Sequence, residues 1–191
     1  MSDEVGRASA FFEAHADRLR ETRSIGRTLD LACGRGRHTL AALELGLDVL
    51  ALDRNADALV GIEARCRKTI GSDSGTITTL RADLESPGAD PPELSALPKA
   101  SFGAVMVFRY LHRPRMPWIE SLIAPGGILV YETFTTDQRQ LGWGPRRDDF
   151  LLRPGELPTL VPELEVEVFE EGPSNDDPSA MTARLLARRP R

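Results

Sequence analysis

The stretch TLDLACGRGRHTLAALELGLDVLALDRNADAL, residues 28–59, decides the fold. A short apolar run ends at Cys33, glycines follow at positions 34 and 36, and strong helix formers continue from Arg37 until Gly46 can cap them. A second apolar run then stops at Asp53. Strand, glycine turn, helix and strand make a βαβ unit, which implies parallel strands joined by a right-handed crossover. A bend that brings the backbone close to a ligand wants residues without a Cβ, and Gly34 and Gly36 supply them. Asp53, about 20 residues beyond the turn, stands where a carboxylate can accept both hydroxyls of an adenosine ribose.

The same logic would serve a nicotinamide dinucleotide, but that fingerprint asks for a third small residue where Thr39 stands. Thr39 should hinder close packing of helix on strand, and Arg37 and His38 add bulk to the turn. A pyrophosphate site, and with it a nucleotide-dependent oxidoreductase, is therefore the poorer reading.

Working outward, residues 8–20 are expected to form a leading helix with Phe11, Phe12, His15 and Leu19 near one face. Asn55 is placed to cap a helix that ends in the polar run at 71–75, and residues 76–84 read as a third strand. The prolines between 85 and 101 suit a surface connection holding at most one helical turn. A fourth strand is expected over 102–112, then a short helix broken early by Pro114 and Pro117, then a fifth strand over 128–134. Residues 135–157 form a loop longer than a connection needs, a hint of binding work. The tail pairs two alternating segments, 164–172 and 180–189, across a polar turn, which reads as an antiparallel hairpin. The expected fold class is α/β: seven strands, mostly parallel, with helices on both faces and the hairpin at the C-terminus. Residues 1–27 form a leading helix able to serve as a lid, and 28–191 one domain.

The 191 residues carry 24 basic and 29 acidic side chains, a formal charge of −5 that gives no global pull toward nucleic acid. Cys33 and Cys66 have no metal-ligand spacing and suggest no disulfide framework, so no metal is expected. The N-terminus lacks a signal-peptide pattern and no segment offers ~18 consecutive apolar residues, so the chain reads as cytoplasmic and not membrane-bound. Nothing in the pattern sets an oligomeric state.

With these residues in place, LDLACGRGRHTLAALELGLDVLALDRN, RADLE and APGGILVYETF resemble the motifs of class I S-adenosylmethionine-dependent methyltransferases. The small bacterial tellurite-resistance and thiopurine types are the most similar. The resemblance implies a Rossmann-like sheet and S-adenosylmethionine as cofactor. It places Asp30, Cys33, Gly34 and Gly36 along the methionine end, with Arg37 or His38 near the carboxylate. Asp53 would hold the ribose, Arg54 and Asn55 would flank the adenine, Asp83 and Leu84 would meet its edge, and Phe108 and Arg109 would form the floor under the sulfonium. RYLHRP stands where enzymes that methylate exocyclic amines of nucleic-acid bases carry an Asn/Asp-Pro-Pro-aromatic tetrad, which argues against that acceptor.

Methyl transfer from a sulfonium is an in-line displacement governed by positioning and exclusion of water. Tyr110, His112 and Glu132, at the carboxyl ends of strands four and five, are the candidate proton handlers, Glu132 because an acid in an apolar strand needs a partner. Arg113, Arg146 and Arg147, with Trp143 as a flat apolar face, are the candidate acceptor contacts, and their charge suits a small anionic molecule. Two further readings stay open: a non-catalytic S-adenosylmethionine-binding regulator or partner subunit, and an RNA methyltransferase, for which the chain offers little binding surface.

Overall fold

The computed structural model describes residues 6–69, 71, 73–86, 91–177 and 179–191. Seven strands form one sheet: β1 (Thr28–Leu31), β2 (Val49–Asp53), β3 (Ile77–Arg81), β4 (Phe102–Phe108), β5 (Ile123–Phe134), β6 (Glu165–Pro173) and β7 (Met181–Arg188). Their order is β3-β2-β1-β4-β5-β7-β6. The first five are parallel, and β7 pairs antiparallel with both β5 and β6. This is the Rossmann-like arrangement that the alternating segments predicted. Strand order reverses between β1 and β4, and in such sheets the crevice outside the carboxyl ends at that reversal is where ligands bind.

Seven α-helices accompany the strands among the described residues: α1 (Ala10–Ala14), α2 (Ala16–Glu21), α3 (Arg37–Glu44), α4 (Ala56–Thr69), α5 (Pro92–Ser95), α6 (Met116–Leu122) and α7 (Glu156–Thr159). Because successive strand residues alternate faces, the sheet builds two cores. Leu29, Leu31, Leu52, Val105, Val107 and Leu129 pack with Met116, Ile119 and Leu122 of α6. Val49, Ala51, Ala104, Met106, Ile128 and Val130 pack on the other face with α1 to α4 through Phe11, Phe12, Leu19, Leu43 and Ile62.

Three local differences from the sequence reading have physical causes. The leading helix is two short helices, because His15 leaves helical geometry at φ −113°, ψ 17°. A five-residue helix has no stability of its own. Phe11 and Phe12, 4% and 2% exposed, hold it down, at about 1.5–3 kcal/mol for each buried aromatic. Pro114 and Pro117 do not break the following helix: they occupy the first turns of a 3-10 segment, Arg113–Arg115, and of α6, where a missing N–H costs nothing. β5 begins at Ile123, five residues before the expected start, since the Pro-Gly-Gly segment continues the strand through an irregularity opposite Phe102 and Ala104. The polar run at 71–75 and the connection at 85–101 lie partly outside the described residues. Among the described residues, no helix is long and apolar enough to cross a membrane.

Candidate active site

The turn from β1 into α3 is left-handed three times, at Ala32 (φ 52°), Gly34 (φ 54°) and Gly36 (φ 80°). A Cβ on Gly34 would meet nothing within 4 Å, so that glycine is required by its backbone alone, whereas one on Gly36 would come within 2.5 Å of Ile62 in α4. Gly36 therefore lets the turn into α3 approach α4 closely. Thr39, expected to obstruct packing of helix on strand, is instead fully buried and donates its hydroxyl to Asp30 Oδ2 at 2.5 Å.

Asp53, ending β2, fixes this turn from the side. Its Oδ2 accepts the Gly34 amide at 2.8 Å and its Oδ1 the Asn55 amide at 2.9 Å. Asn55 then caps α4 by accepting the Ala58 amide at 3.1 Å. One carboxylate thus holds the glycine turn and the entry to α4, with lone pairs left on both oxygens.

Two cavities flank Ala32, which lines both. The larger, about 380 Å³, is bounded by Gly6, Asp30, Gly34, Arg37, His38, Phe108 and Arg109. Asp30, 2% exposed, has its pKa raised to about 7 by burial, with Asp53 adding to the rise and the Thr39 hydroxyl opposing it. Burial raises the Cys33 thiol beyond the range where it would ionise. His38 stacks on Phe108 with ring centroids 3.5 Å apart. Burial and the nearby Arg37 and Arg109 charges hold its pKa down at about 2, so a neutral ring accepts the Ser9 amide on Nε2 at 3.1 Å. Arg37 is half-buried and makes no hydrogen bond or ion pair within the described chain. Its pKa is lowered by burial and then by repulsion from Arg109. Arg109 leaves β4 in the left-handed region (φ 57°), with its guanidinium 5.5 Å from the Phe134 ring centroid and 3.8 Å from Asp177. The smaller cavity, about 120 Å³, is bounded by Asp53, Arg54, Ala82, Asp83, Leu84, Glu85 and Tyr110.

The residues proposed for a cofactor, Gly36 and Asn55 excepted, thus line one or other of two compartments that share Ala32. The candidate proton handlers are dispersed. Tyr110 lines the small compartment. His112 precedes the Arg113–Arg115 turn without a side-chain capping bond. Glu132, 4% exposed, lies on the same side of the sheet as Phe108, facing Ser174 Oγ at 3.4 Å, and its Oε2 has no hydrogen-bond partner. Burial raises its pKa; the Ser9 hydroxyl, Arg184 and Arg37 oppose the rise and Asp176 adds to it.

The candidate acceptor contacts also separate. Arg113 is bound bidentately to Glu156 at 2.6 and 2.8 Å and donates to the carbonyls of Asp148, Asp149 and Leu151, so its fork secures the long loop. Trp143 donates Nε1 to the Ser179 carbonyl and packs edge-on against Phe134. Arg146 donates to the Gly142 carbonyl, and Arg147 pairs with Asp149. Gly6, which lines the larger compartment, and Ser9, which donates its amide to His38, had no signal in the sequence.

The sheet order, the glycine turn at its reversal and the acid ending β2 make up the fold of the class I S-adenosylmethionine-dependent methyltransferases. Residues 11–86 match the family model of the tellurite resistance protein TehB. Among solved structures, TehB from Haemophilus influenzae superposes with a TM-score of 0.65 at 19% identity, covering 92% of this chain and 62% of that one. An S-adenosylmethionine-dependent methyltransferase from Mesorhizobium loti gives 0.64 at 24% identity, over 92% and 98% of the two chains. The 1,6-didemethyltoxoflavin-N1-methyltransferase of Burkholderia thailandensis, solved with bound 1,6-didemethyltoxoflavin and S-adenosylhomocysteine, gives 0.66 at 19% identity, over 96% and 80%. At such identities the structural likeness carries the fold. Comparison with curated protein sequences gives no match.

S-Adenosylmethionine fits the residues present. Asp53 keeps free lone pairs for the ribose hydroxyls, and Asp83 and Leu84 bound the compartment that an adenine would enter. Arg37, unpaired and facing the larger compartment, suits the methionine carboxylate, and Asp30 suits its ammonium. His38 is committed to Ser9 and Phe108, which leaves Arg37 the freer of the two side chains to meet a carboxylate.

Proposed function

We propose that this enzyme transfers the methyl group of S-adenosylmethionine to a small anionic acceptor in the cytoplasm. The observation that carries the reading is the second guanidinium on the larger compartment. Arg37 and Arg109 repel one another there, yet the cofactor's carboxylate needs only one of them. Arg109 also stands at the end of β4 in a conformation that costs a non-glycine residue about 1–2 kcal/mol. Its contact with Asp177, at 3.8 Å, is long enough to be exchanged for a shorter one with an oxyanion.

When bound, the cofactor supplies an electrophilic methyl group on a sulfonium. The chain's contribution is to hold the acceptor in line and keep water out. Arg109 would bind the acceptor's charge, and the stacked His38 and Phe108 would wall the path. An anionic nucleophile would arrive without a proton, so the chain would need to supply no base. The TehB family is named for tellurite resistance, and an oxyanion of that kind belongs in the acceptor screen beside aromatic carboxylates, phenols and thiols.

Arg109→Met tests the reading. Loss of a charge-assisted contact of about 1.5–3 kcal/mol raises KM for anionic acceptors roughly 10- to 100-fold, with S-adenosylhomocysteine affinity held. Preference for neutral acceptors, together with an unchanged KM in the variant, would overturn it.

A further inference from the structure

Two buried serines from opposite ends of the chain converge on one buried acid. From the N-terminal side, Ser9 donates its amide to His38 Nε2 at 3.1 Å, and its hydroxyl oxygen accepts the Phe12 amide at 3.2 Å, capping α1. From the C-terminal side, Ser174, which opens the turn between β6 and β7, donates its hydroxyl to Asp176 Oδ1 at 2.7 Å. Between them stands Glu132 of β5, 4% exposed, with Oε1 3.4 Å from Ser174 Oγ and the Ser9 hydroxyl facing it. Glu132 makes no ion pair among the described residues, because Arg184, its register partner in β7, turns to Glu170, Thr182 and the Pro173 carbonyl.

A carboxylate with no cation against it and one oxygen unbonded is too costly to bury ionised. The chain offers it a way to stay neutral. Ser174 has a single proton, and the exposed Asp176 carboxylate, at the shorter distance, takes it. The contact with Glu132 is then favourable only if Glu132 brings a proton of its own. Burial raises the Glu132 pKa and the Asp176 charge adds to the rise, against the Ser9 hydroxyl and the more distant charges of Arg184 and Arg37.

We propose that Glu132 is a positioning residue and not a proton acceptor: in its neutral form it donates a hydrogen bond to Ser174 Oγ and accepts one from the Ser9 hydroxyl, clasping the N-terminal segment to the hairpin turn. The effect on ligands rests on the methyltransferase reading of the cleft. Ser9 holds His38, whose ring is stacked on Phe108 and lines the larger compartment. Arg37 lines it too, and both Glu132 and Asp176 act on its charge. Ionising Glu132 would set lone pairs against Ser174 and place a further negative charge in competition with a ligand carboxylate for Arg37.

Glu132→Gln keeps the size, an acceptor and a donor and stays neutral at every pH, whereas Glu132→Ala removes all of them. In the unliganded protein, hydrogen exchange at the Ser9 and Phe12 amides, corrected for its intrinsic rate, reads the clasp. From about pH 6 to about pH 9, wild-type protection should fall roughly fivefold while Glu132→Gln holds it and Glu132→Ala stays low throughout. The Kd for S-adenosylhomocysteine should be the same in wild type and Glu132→Gln at the acidic end and roughly threefold higher in wild type at the alkaline end. Taking that ratio at each pH cancels the other titrating groups, Asp30 included. 5′-Methylthioadenosine, which lacks the carboxylate that Arg37 would hold, should bind both proteins alike at either pH. Wild-type exchange that parallels Glu132→Gln across the range, or Glu132→Ala as protected as wild type, overturns the inference and leaves the methyltransferase reading intact. The expected exchange in a protein that binds no S-adenosylhomocysteine supports the clasp and overturns that reading alone.

Discussion

Asp53→Ala removes two sets of interactions at once, and they can be measured separately. In the unliganded protein the carboxylate accepts the Gly34 amide at 2.8 Å and the Asn55 amide at 2.9 Å. Hydrogen bonds to a charged group contribute about 1.5–3 kcal/mol each, less where water can replace the partner. Both amides sit beside an open cleft, so a destabilisation of about 1–2 kcal/mol is expected, or a melting temperature lower by roughly 2–8 °C. Cofactor binding should lose more. Two ribose hydroxyls lose a charged acceptor, and the glycine turn loses the brace that shapes it, together about 3 kcal/mol or more than 100-fold in Kd. Asp53→Asn is informative because it is isosteric yet cannot satisfy both amides: one would face the NH₂ group, donor against donor. Its loss of affinity should approach that of alanine. Titration with S-adenosylhomocysteine gives the affinities and thermal unfolding the stabilities. A Kd within threefold of wild type in either variant would refute the assignment of the ribose to Asp53.

Three further outcomes are expected. The pKa of Glu132 is raised by burial, so its neutral form is favoured by folding; its contribution to stability is complete below the ordinary carboxyl pKa and is lost as pH rises through the folded-state value. Glu132→Gln should therefore equal or exceed wild type in melting temperature at mildly alkaline pH and compare less favourably with it at acidic pH; the same difference at all pH values would contradict this. Asp30, at about 7, should ionise more readily beside a cationic ligand, so affinity for S-adenosylmethionine should rise with pH through that value and Asp30→Asn should flatten the profile; a flat wild-type profile would count against it. Gly36→Ala combines a left-handed φ of 80° with a Cβ 2.5 Å from Ile62 and should lower stability by about 2–3 kcal/mol in denaturant titrations; Gly34→Ala, with open space around its Cβ, should lose less.

The frame of this molecule was legible because it depends on local pattern. Apolar runs ending at Cys33 and Asp53, with glycines between them, announce a strand, a turn and a crossover whatever the rest of the chain does. The two prolines misled because proline breaks a helix interior but suits its first turn, and only the boundary, invisible in the sequence, distinguishes these cases. β5 was read short because Pro-Gly-Gly looks like a turn, although Gly127 lies close to the Phe102 and Gly103 carbonyls, where a side chain would not fit. In the site, spacing revealed Asp53 and the glycine turn. It could not reveal that Arg113 is held by Glu156, 43 positions away, or that Ser9 reaches His38, 29 positions away. Arginine counts suggested an anion-binding edge, whereas the fold leaves Arg37 and Arg109 facing the cavity and gives Arg113 and Arg147 to ion pairs.

The most direct test of the cleft is calorimetric titration of the purified protein with S-adenosylmethionine, S-adenosylhomocysteine and NAD side by side. Micromolar binding of the two sulfur compounds with none of NAD is the predicted result. Binding of NAD alone would contradict it and return the turn at Gly34 to the dinucleotide class.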